Sequence, residues 1–162
     1  MTTIAARIKS VLFERLQQAT IANGYATNMG LQAHRGRMAF AAQDLADGPR
    51  VGIGPPDDDQ EEANAGRTGR KLRNELRLLV AAHALDDGPH PMDTADALLG
   101  DIKRAMLLPD AQPIVHNGQP LTEALEYLWA APEMPGPGEQ IVRVAALFSC
   151  RYSEIYGDPA SV

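Results

Sequence analysis

The last part of the chain carries the feature that most restricts its fold, a two-residue periodicity over residues 140–155. Successive side chains of a β-strand lie on opposite faces, so this period predicts one long strand with one buried face. The expected core face consists of Val142, Val144, Ala146, Phe148, Cys150 and Tyr152.

Residues 2–23 have the apolar spacing of an amphipathic helix. Thr2 or Thr3 suits its N-cap, and Asn23-Gly24 suits its end, because glycine readily adopts the left-handed conformation. The expected buried stripe is Ile4, Ile8, Val11, Leu12, Leu16 and Ala19.

Residues 92–108 predict a second helix, with Pro91 at its start, Asp93 as its cap and Pro109 after its end. Its apolar stripe has no partner other than the C-terminal strand, so we expect the two to be buried together. The stripe consists of Ala95, Leu98, Leu99, Ile102, Met106 and Leu107.

Shorter strands and loops are indicated elsewhere. Residues 67–84 fit either a strand or a helix, with the strand favoured, and residues 121–129 fit a short helix or an extended segment. Asn117-Gly118 is typical of a hairpin turn. Short strands are expected at residues 31–35, 50–53 and 113–116, and loops at residues 57–66, 86–89 and 132–138, the first of these mobile.

Length and composition limit the classes of function. The 162 residues fit one α/β domain spanning 1–162, without an internal repeat. A formal charge of −6 argues against binding to nucleic acid, which requires a basic surface. The single cysteine, Cys150, suits a reducing compartment. With no signal-peptide core and no apolar run of about 18 residues, we expect a soluble protein made in the cytosol, with no membrane contact.

No catalytic, metal or cofactor site is expected from the residue pattern. The four histidines have no short ligand spacing and are interpreted as surface or rim residues. The acidic run at 57–62 lacks the alternating pattern of a calcium loop, and Cys150 is interpreted as a small core residue. No phosphate-binding loop, dinucleotide fingerprint or nucleophile elbow occurs, so an enzyme is the least favoured class.

A charge pattern stands out at residues 57–77, where an acidic run is followed directly by basic residues, including Arg67. The basic residues suit a nucleic-acid patch, a solvated strand face, or complementary contacts between neighbours in a ring. A nucleic-acid patch would be expected to have aromatic residues among the basic ones for stacking, and none occurs here. The candidate interface for the third is Asp57, Asp58, Asp59, Glu61, Glu62, Arg70, Lys71, Arg73 and Arg77.

The order of these features resembles that of the tail-terminator proteins of long-tailed bacteriophages, also called minor tail or tail-completion proteins. The resemblance covers nearly the whole chain and consists of structural signatures, not catalytic ones. The elements that carry it are Asn23-Gly24-Tyr25, Gly30, Arg35-Gly36, Pro55-Pro56, the segment 68–84, Ala95–Leu99 with Gly100-Asp101-Ile102, and the strand Val142–Tyr152.

The resemblance implies an α/β (α+β) fold with a mixed, largely antiparallel sheet flanked by two main helices. It also implies a virion protein that forms a hexameric ring on the last ring of the tail-tube protein, ends tube growth and presents a surface to the head or neck proteins. Such a protein has no catalytic residue, cofactor or sequence-specific nucleic-acid binding. The alternatives are a head–tail joining (neck) protein and, from another class, a small cytosolic binding module for a peptide or metabolite.

Overall fold

The computed structural model describes residues 2–57, 60–86, 88–108 and 113–161. They form a single α+β domain with two helices and a mixed, mostly antiparallel sheet, as predicted. The elements are α1 (Ile4–Gln17), β1 (Ala33–Arg35), β2 (Arg50–Gly54), β3 (Glu62–Thr68), β4 (Lys71–Leu85), α2 (Pro91–Met106), β5 (Val115–His116), β6 (Gln119–Pro120), β7 (Thr122–Glu133) and β8 (Ile141–Ile155).

The two long strands β4 and β8 form the centre of the sheet. They pair antiparallel over their full lengths, from Lys71 opposite Ile155 to Leu85 opposite Ile141. The strand order is β1-β2-β4-β8-β7, and β3 also pairs with β4. Strand β3 lies along the first half of β4 and β2 along the second half, while β1 runs parallel to β2. In the described part of the chain, β7 therefore ends the sheet on one side and β1 and β3 end it on the other.

Both helices pack on one face of this sheet, which we call the helix face. The predicted core face of β8 is confirmed, since its six residues are all buried there. Leu99 of α2 is half-buried and packs against the same core. The largest fully buried side chains are Phe148, Ile4, Ile8, Leu12, Leu16, Met29, Leu45, Leu76, Leu78, Leu98, Ile102 and Met106.

The opposite face, which we call the outer face, has a partial cover. The chain that follows β1 crosses β2 there, and a Cβ atom added to Gly52 would lie 1.9 Å from the carbonyl oxygen of Arg37. Met38 packs over Gly54, and Phe40 contacts His83 edge-on at 5.3 Å between ring centroids. Two glycines in β2 therefore let a backbone segment lie directly on the sheet.

The first helix is shorter than predicted. It is capped by Thr3, whose hydroxyl accepts a hydrogen bond from the backbone N–H of Ala6 at 3.1 Å, but it ends at Gln17. A 3₁₀ turn at Ile21–Asn23 follows, and Gly24 has the predicted left-handed conformation with φ of 81°. The helix ends where Gly30 packs against it: a Cβ atom at Gly30 would lie 2.5 Å from the carbonyl oxygen of Leu16, and the N–H of Gly30 bonds the carbonyl of Ala19, just beyond the helix.

The segment predicted as a strand at residues 31–35 is only partly one. A 3₁₀ helix occupies Met29–Gln32, and β1 begins at Ala33. At α2, Pro91 takes the first helical turn as predicted, but the N-cap is His90 rather than Asp93, and no side chain of the described residues caps the helix.

The ambiguous segment at 67–84 is a strand, which decides the first open alternative. Its first residues belong to a hairpin: β3 and β4 are joined through Gly69 and Arg70, and Gly69 has φ of 62°. The loop predicted at residues 57–66 is therefore wrong from Glu62 onward, because these residues pair with β4. Ala65 is the extra residue of a bulge between Asn64 and Gly66, and Gly66 has φ of 137°.

The second open alternative is decided in favour of the extended form. Strand β7 continues through Pro132 and Glu133. The loop that was predicted to start at residue 132 therefore starts at residue 134. The predicted hairpin turn is confirmed between β5 and β6, where Asn117 and Gly118 both have positive φ values, 52° and 76°.

Candidate assembly interface

The β3–β4 hairpin carries most of the charged residues predicted as an interface. Glu62 lies on β3, and Arg70 occupies the turn. Asp57 and Glu61 precede β3, while Asp58 and Asp59 lie outside the described residues. Three of the predicted basic residues lie on β4: Lys71, Arg73 and Arg77.

Several of these charges have partners within the chain. Arg73 binds Glu123 of β7 at 2.7 Å, and Glu61 binds Lys9 of α1. Arg77 binds Glu75 at 2.9 Å. Charges that could complement a neighbouring copy are thus paired in part within the chain itself. The exposed charges of the predicted set include Arg70 and Lys71 at the hairpin turn.

A polar cluster on the outer face surrounds Glu75. Its carboxylate accepts hydrogen bonds from Arg77 and from the hydroxyl of Ser149, each at 2.9 Å. These two bonds lower the pKa of Glu75, since both stabilise the ionised form. The bond between Glu75 and Ser149 therefore links β4 to β8 on the outer face, in addition to the backbone ladder.

The edge strand β7 is a surface that the sequence did not predict. It carries acidic residues and no basic ones, and Leu128 and Trp129 are 43% and 44% exposed. The ladder to β8 shifts register between Tyr127 and Trp129, so Leu128 is the extra residue of a bulge. Two adjacent large apolar residues within a strand were the available signal, because they break its alternation.

The opposite end of the sheet is basic. Leu31, just before β1, is 69% exposed, and Arg35 and Arg37 follow within and after β1. Arg35 lies over the ring of Phe13 at 5.8 Å, and Arg37 binds Asp44. Both ends of the sheet thus combine exposed apolar side chains with charge, and the charges have opposite signs.

A cleft of about 270 Å³ lies between these ends on the outer face. Its floor is formed by small residues that are neighbours across three strands, Ala131 opposite Ala145 and Ala145 opposite Ala81. Arg143 borders the cleft and binds Glu133 at 3.2 Å.

His83 lines the same cleft and corrects a prediction, because it is 5% exposed rather than a surface or rim residue. Its Nδ1 atom is buried without a hydrogen-bond partner among the described residues. Burial, with a smaller contribution from the charge of Arg143, lowers the pKa of His83 to about 4. The ring is therefore neutral at physiological pH.

Cys150 is buried in the core, as predicted. Burial, with a smaller contribution from Glu75, raises the pKa of its thiol to about 12. Since the thiolate is the nucleophilic form, this cysteine is unreactive at neutral pH.

The described residues contain no group of three or more histidine, cysteine or acidic side chains arranged to hold a metal ion. Neither described α-helix has the length and apolar character of a membrane-spanning segment. No protein-family model matches the sequence, and no curated protein matches it significantly.

Proposed function

We propose that this protein is a virion structural protein that assembles as a ring on the end of a phage tail tube, stops tube growth and offers an attachment surface to the head or neck. The observation that carries the proposal is the sheet with open strands at both ends. Large apolar residues are exposed at each of them, Leu128 and Trp129 at one and Leu31 at the other. Exposed apolar residues on an open edge are typical of surfaces that become covered in an assembly.

The order of elements supports the tail-terminator role in particular. The features on which the sequence resembles that family include the first helix, the strand within 68–84 and the terminal strand, and these are elements of the domain core. The same features suit a head–tail joining protein, which would also work by ring assembly. The two roles differ in the partner on which the ring sits, the tail tube or the neck.

The direct test is polymerisation of the cognate tail-tube protein with and without this protein, with tubes viewed by electron microscopy. We expect tubes of limited length with added density at one end. Unchanged lengths and no binding to tubes would overturn the terminator role, and binding to neck proteins instead would assign the joining role. Tail-tube and tape-measure genes beside the gene are the matching genomic expectation.

A complementation experiment tests the same role in the phage. The protein should restore normal tail length to a phage defective in its terminator. The charge reversal of Arg73 and Arg77 to Glu tests whether the β3–β4 hairpin takes part in the control of tail length. Because both arginines already pair with Glu123 and Glu75 in the chain, a matched reversal of the exposed Arg70 and Lys71 separates loss of those internal pairs from loss of an assembly contact.

A second candidate, a small binding module, is favoured by the cleft at His83. A cleft with an apolar floor and one unpaired buried nitrogen suits a small ligand with a hydrogen-bonding group beside an apolar one. A ligand screen read on the imidazole resonances of His83 tests it. A hit should shift His83 and lose affinity in His83→Phe, and a screen in which no compound moves these resonances would remove this candidate.

A further inference from the structure

The two ends of the sheet differ in charge in a way that points to a partner. Strand β7 contains three glutamates and no basic residue, whereas the segment 31–37 contains Arg35 and Arg37 and no acidic residue. Internal partners reduce but do not cancel these charges: Glu123 and Glu133 have arginine partners, and Arg37 has Asp44. Glu126 forms no ion pair within the described residues, and it is exposed.

The charges also lie on matching faces. Glu126 is opposite Ser149 in the ladder, which places it on the outer face with Arg77 and Leu147. Arg37 is on the same side of the sheet, since its carbonyl packs against Gly52 and its guanidinium lies 5.0 Å from the Phe40 ring centroid. An edge-to-edge contact that keeps the outer faces aligned therefore brings opposite charges together.

A long backbone ladder is not the expected form of this contact. Pro132 has no N–H to donate, and the bulge at Leu128 interrupts the regular edge of β7. Strand β1 is only three residues long. Side chains must therefore supply the affinity, and Leu31, Leu128 and Trp129 are large apolar groups exposed at these two edges.

We infer that the partner of the β7 edge is the β1 edge of a second copy, with Leu31 of one copy packed against Leu128 and Trp129 of the next and Arg37 facing Glu126. The inference rests on the proposed ring for the identity of the partner as a second copy. Two different patches form the contact, so each copy keeps one free patch, and the interface is head-to-tail and able to close into a ring. Exposed charge pairs set register and association rate, and the apolar contact sets the lifetime.

Cysteine cross-linking between differently marked copies tests this contact. Leu31→Cys protein is mixed with Leu128→Cys protein under mild oxidation, with Leu31→Cys plus Met92→Cys as the matched control, because Met92 lies on α2 and is 65% exposed. The native Cys150 is buried and does not interfere. We expect the first mixture to form mixed dimers at least about tenfold faster, since bound copies hold their thiols at high effective concentration. Equal rates in the two mixtures overturn the inference.

A charge exchange makes the test specific. Adding Arg37→Glu to the first protein, or Glu126→Lys to the second, should slow cross-linking, and both changes together should restore it. Restoration by a change in the other copy cannot come from loss of the internal Arg37–Asp44 pair, so failure to restore overturns the proposed register. Cross-linking by a protein that does not limit tube length would uphold this interface and reject the tail role. Normal tube capping without cross-linking would uphold the tail role and reject this interface.

Discussion

The carboxylate of Asp101 accepts hydrogen bonds from both the backbone N–H and the hydroxyl of Thr27, each at 2.7 Å. It also accepts one from the N–H of Ala26 at 2.9 Å, and the side chain is buried. Arg104, one turn further along α2, lies over the ring of Tyr25 and bonds the carbonyl of Gly24. The turn after α1 is therefore attached to α2 through polar contacts, which fixes the position of the chain leading to β1.

Replacement of Asp101 should destabilise the domain. Asp101→Ala leaves two backbone donors and a hydroxyl without their acceptor, and we expect the free energy of unfolding to fall by roughly 2–4 kcal/mol. Asp101→Asn keeps one acceptor oxygen, so its free energy of unfolding should lie between those of the wild type and of Asp101→Ala. The control is Asp96→Asn on the exposed side of the same helix, expected to change stability by less than about 0.5 kcal/mol. Urea denaturation measures all three, and equal losses at both positions would contradict the role of Asp101.

The two glycines of β2 form a matched pair for a packing test. A Cβ at Gly52 would meet the carbonyl oxygen of Arg37 at 1.9 Å, whereas one at Gly54 would meet the flexible side chain of Met38 at 3.2 Å. Gly52→Ala should therefore displace the segment from the sheet and cost roughly 2–3 kcal/mol or more. Gly54→Ala should cost less, since Met38 can move. Thermal unfolding compares the two, and a Gly54 variant as unstable as the Gly52 variant would contradict this account.

Phe148 is the largest fully buried side chain of the central strands. It is inaccessible to solvent and contacts Tyr127 edge-on, with ring centroids 5.8 Å apart. Phe148→Ala should lower the free energy of unfolding by roughly 3–5 kcal/mol. Leu147→Ala, on the outer face of the same strand, is the comparison; Leu147 is also buried, and its replacement should cost somewhat less because it removes fewer buried carbon atoms. Chemical denaturation gives the free energy of unfolding of each variant, and an unchanged m-value shows that the difference is one of stability.

The parts of the fold that could be predicted are those in which local pattern and burial agree. Strand β8 has one face in the core from Val142 to Tyr152, so its period of two was sufficient to identify Phe148 and its neighbours as buried. The early end of α1 could not be predicted, because it depends on the packing of Gly30 against the helix. Strand β3 is rich in residues of low strand propensity, from Ala63 to Gly66, and its pairing with β4 stabilises it instead.

The candidate interface shows the same division. The charges of the β3–β4 hairpin were visible in sequence, but their partners Lys9 and Glu123 come from distant segments. The exposed edge of β7 was not visible, because register shifts break its alternation. His83 was predicted to be a surface or rim residue because the segment that buries it, around Phe40, has no regular pattern of its own.

The burial of His83 should make stability depend on pH. The pKa of His83 is about 4 in the folded protein, below its ordinary value of 6.5, so the folded state favours the neutral ring. The groups that face it include Arg143 on β8 and Arg50 on β2, both cationic, and the Phe40 ring. As the pH falls below 6.5, the unfolded chain binds a proton that the folded chain does not, so stability is lost between pH 6.5 and about 4. Below about pH 4 both states are protonated and this dependence ends.

Between pH 6.5 and about 4, this one group should lower the free energy of unfolding by about 3 kcal/mol. The variant His83→Phe should abolish most of this pH-dependent loss. The remaining slope includes His34, whose pKa is lowered by burial and by Arg50 and Arg37, and which therefore contributes with the same sign. Met92→Gln, at an exposed position of α2, removes no titrating group; it is the control and should leave the slope unchanged. Urea denaturation from pH 7.5 to about 4 gives the three curves, with the pH range set by the usual and shifted histidine values. If wild type and His83→Phe lose stability in parallel over this range, His83 is not buried as a neutral ring in solution.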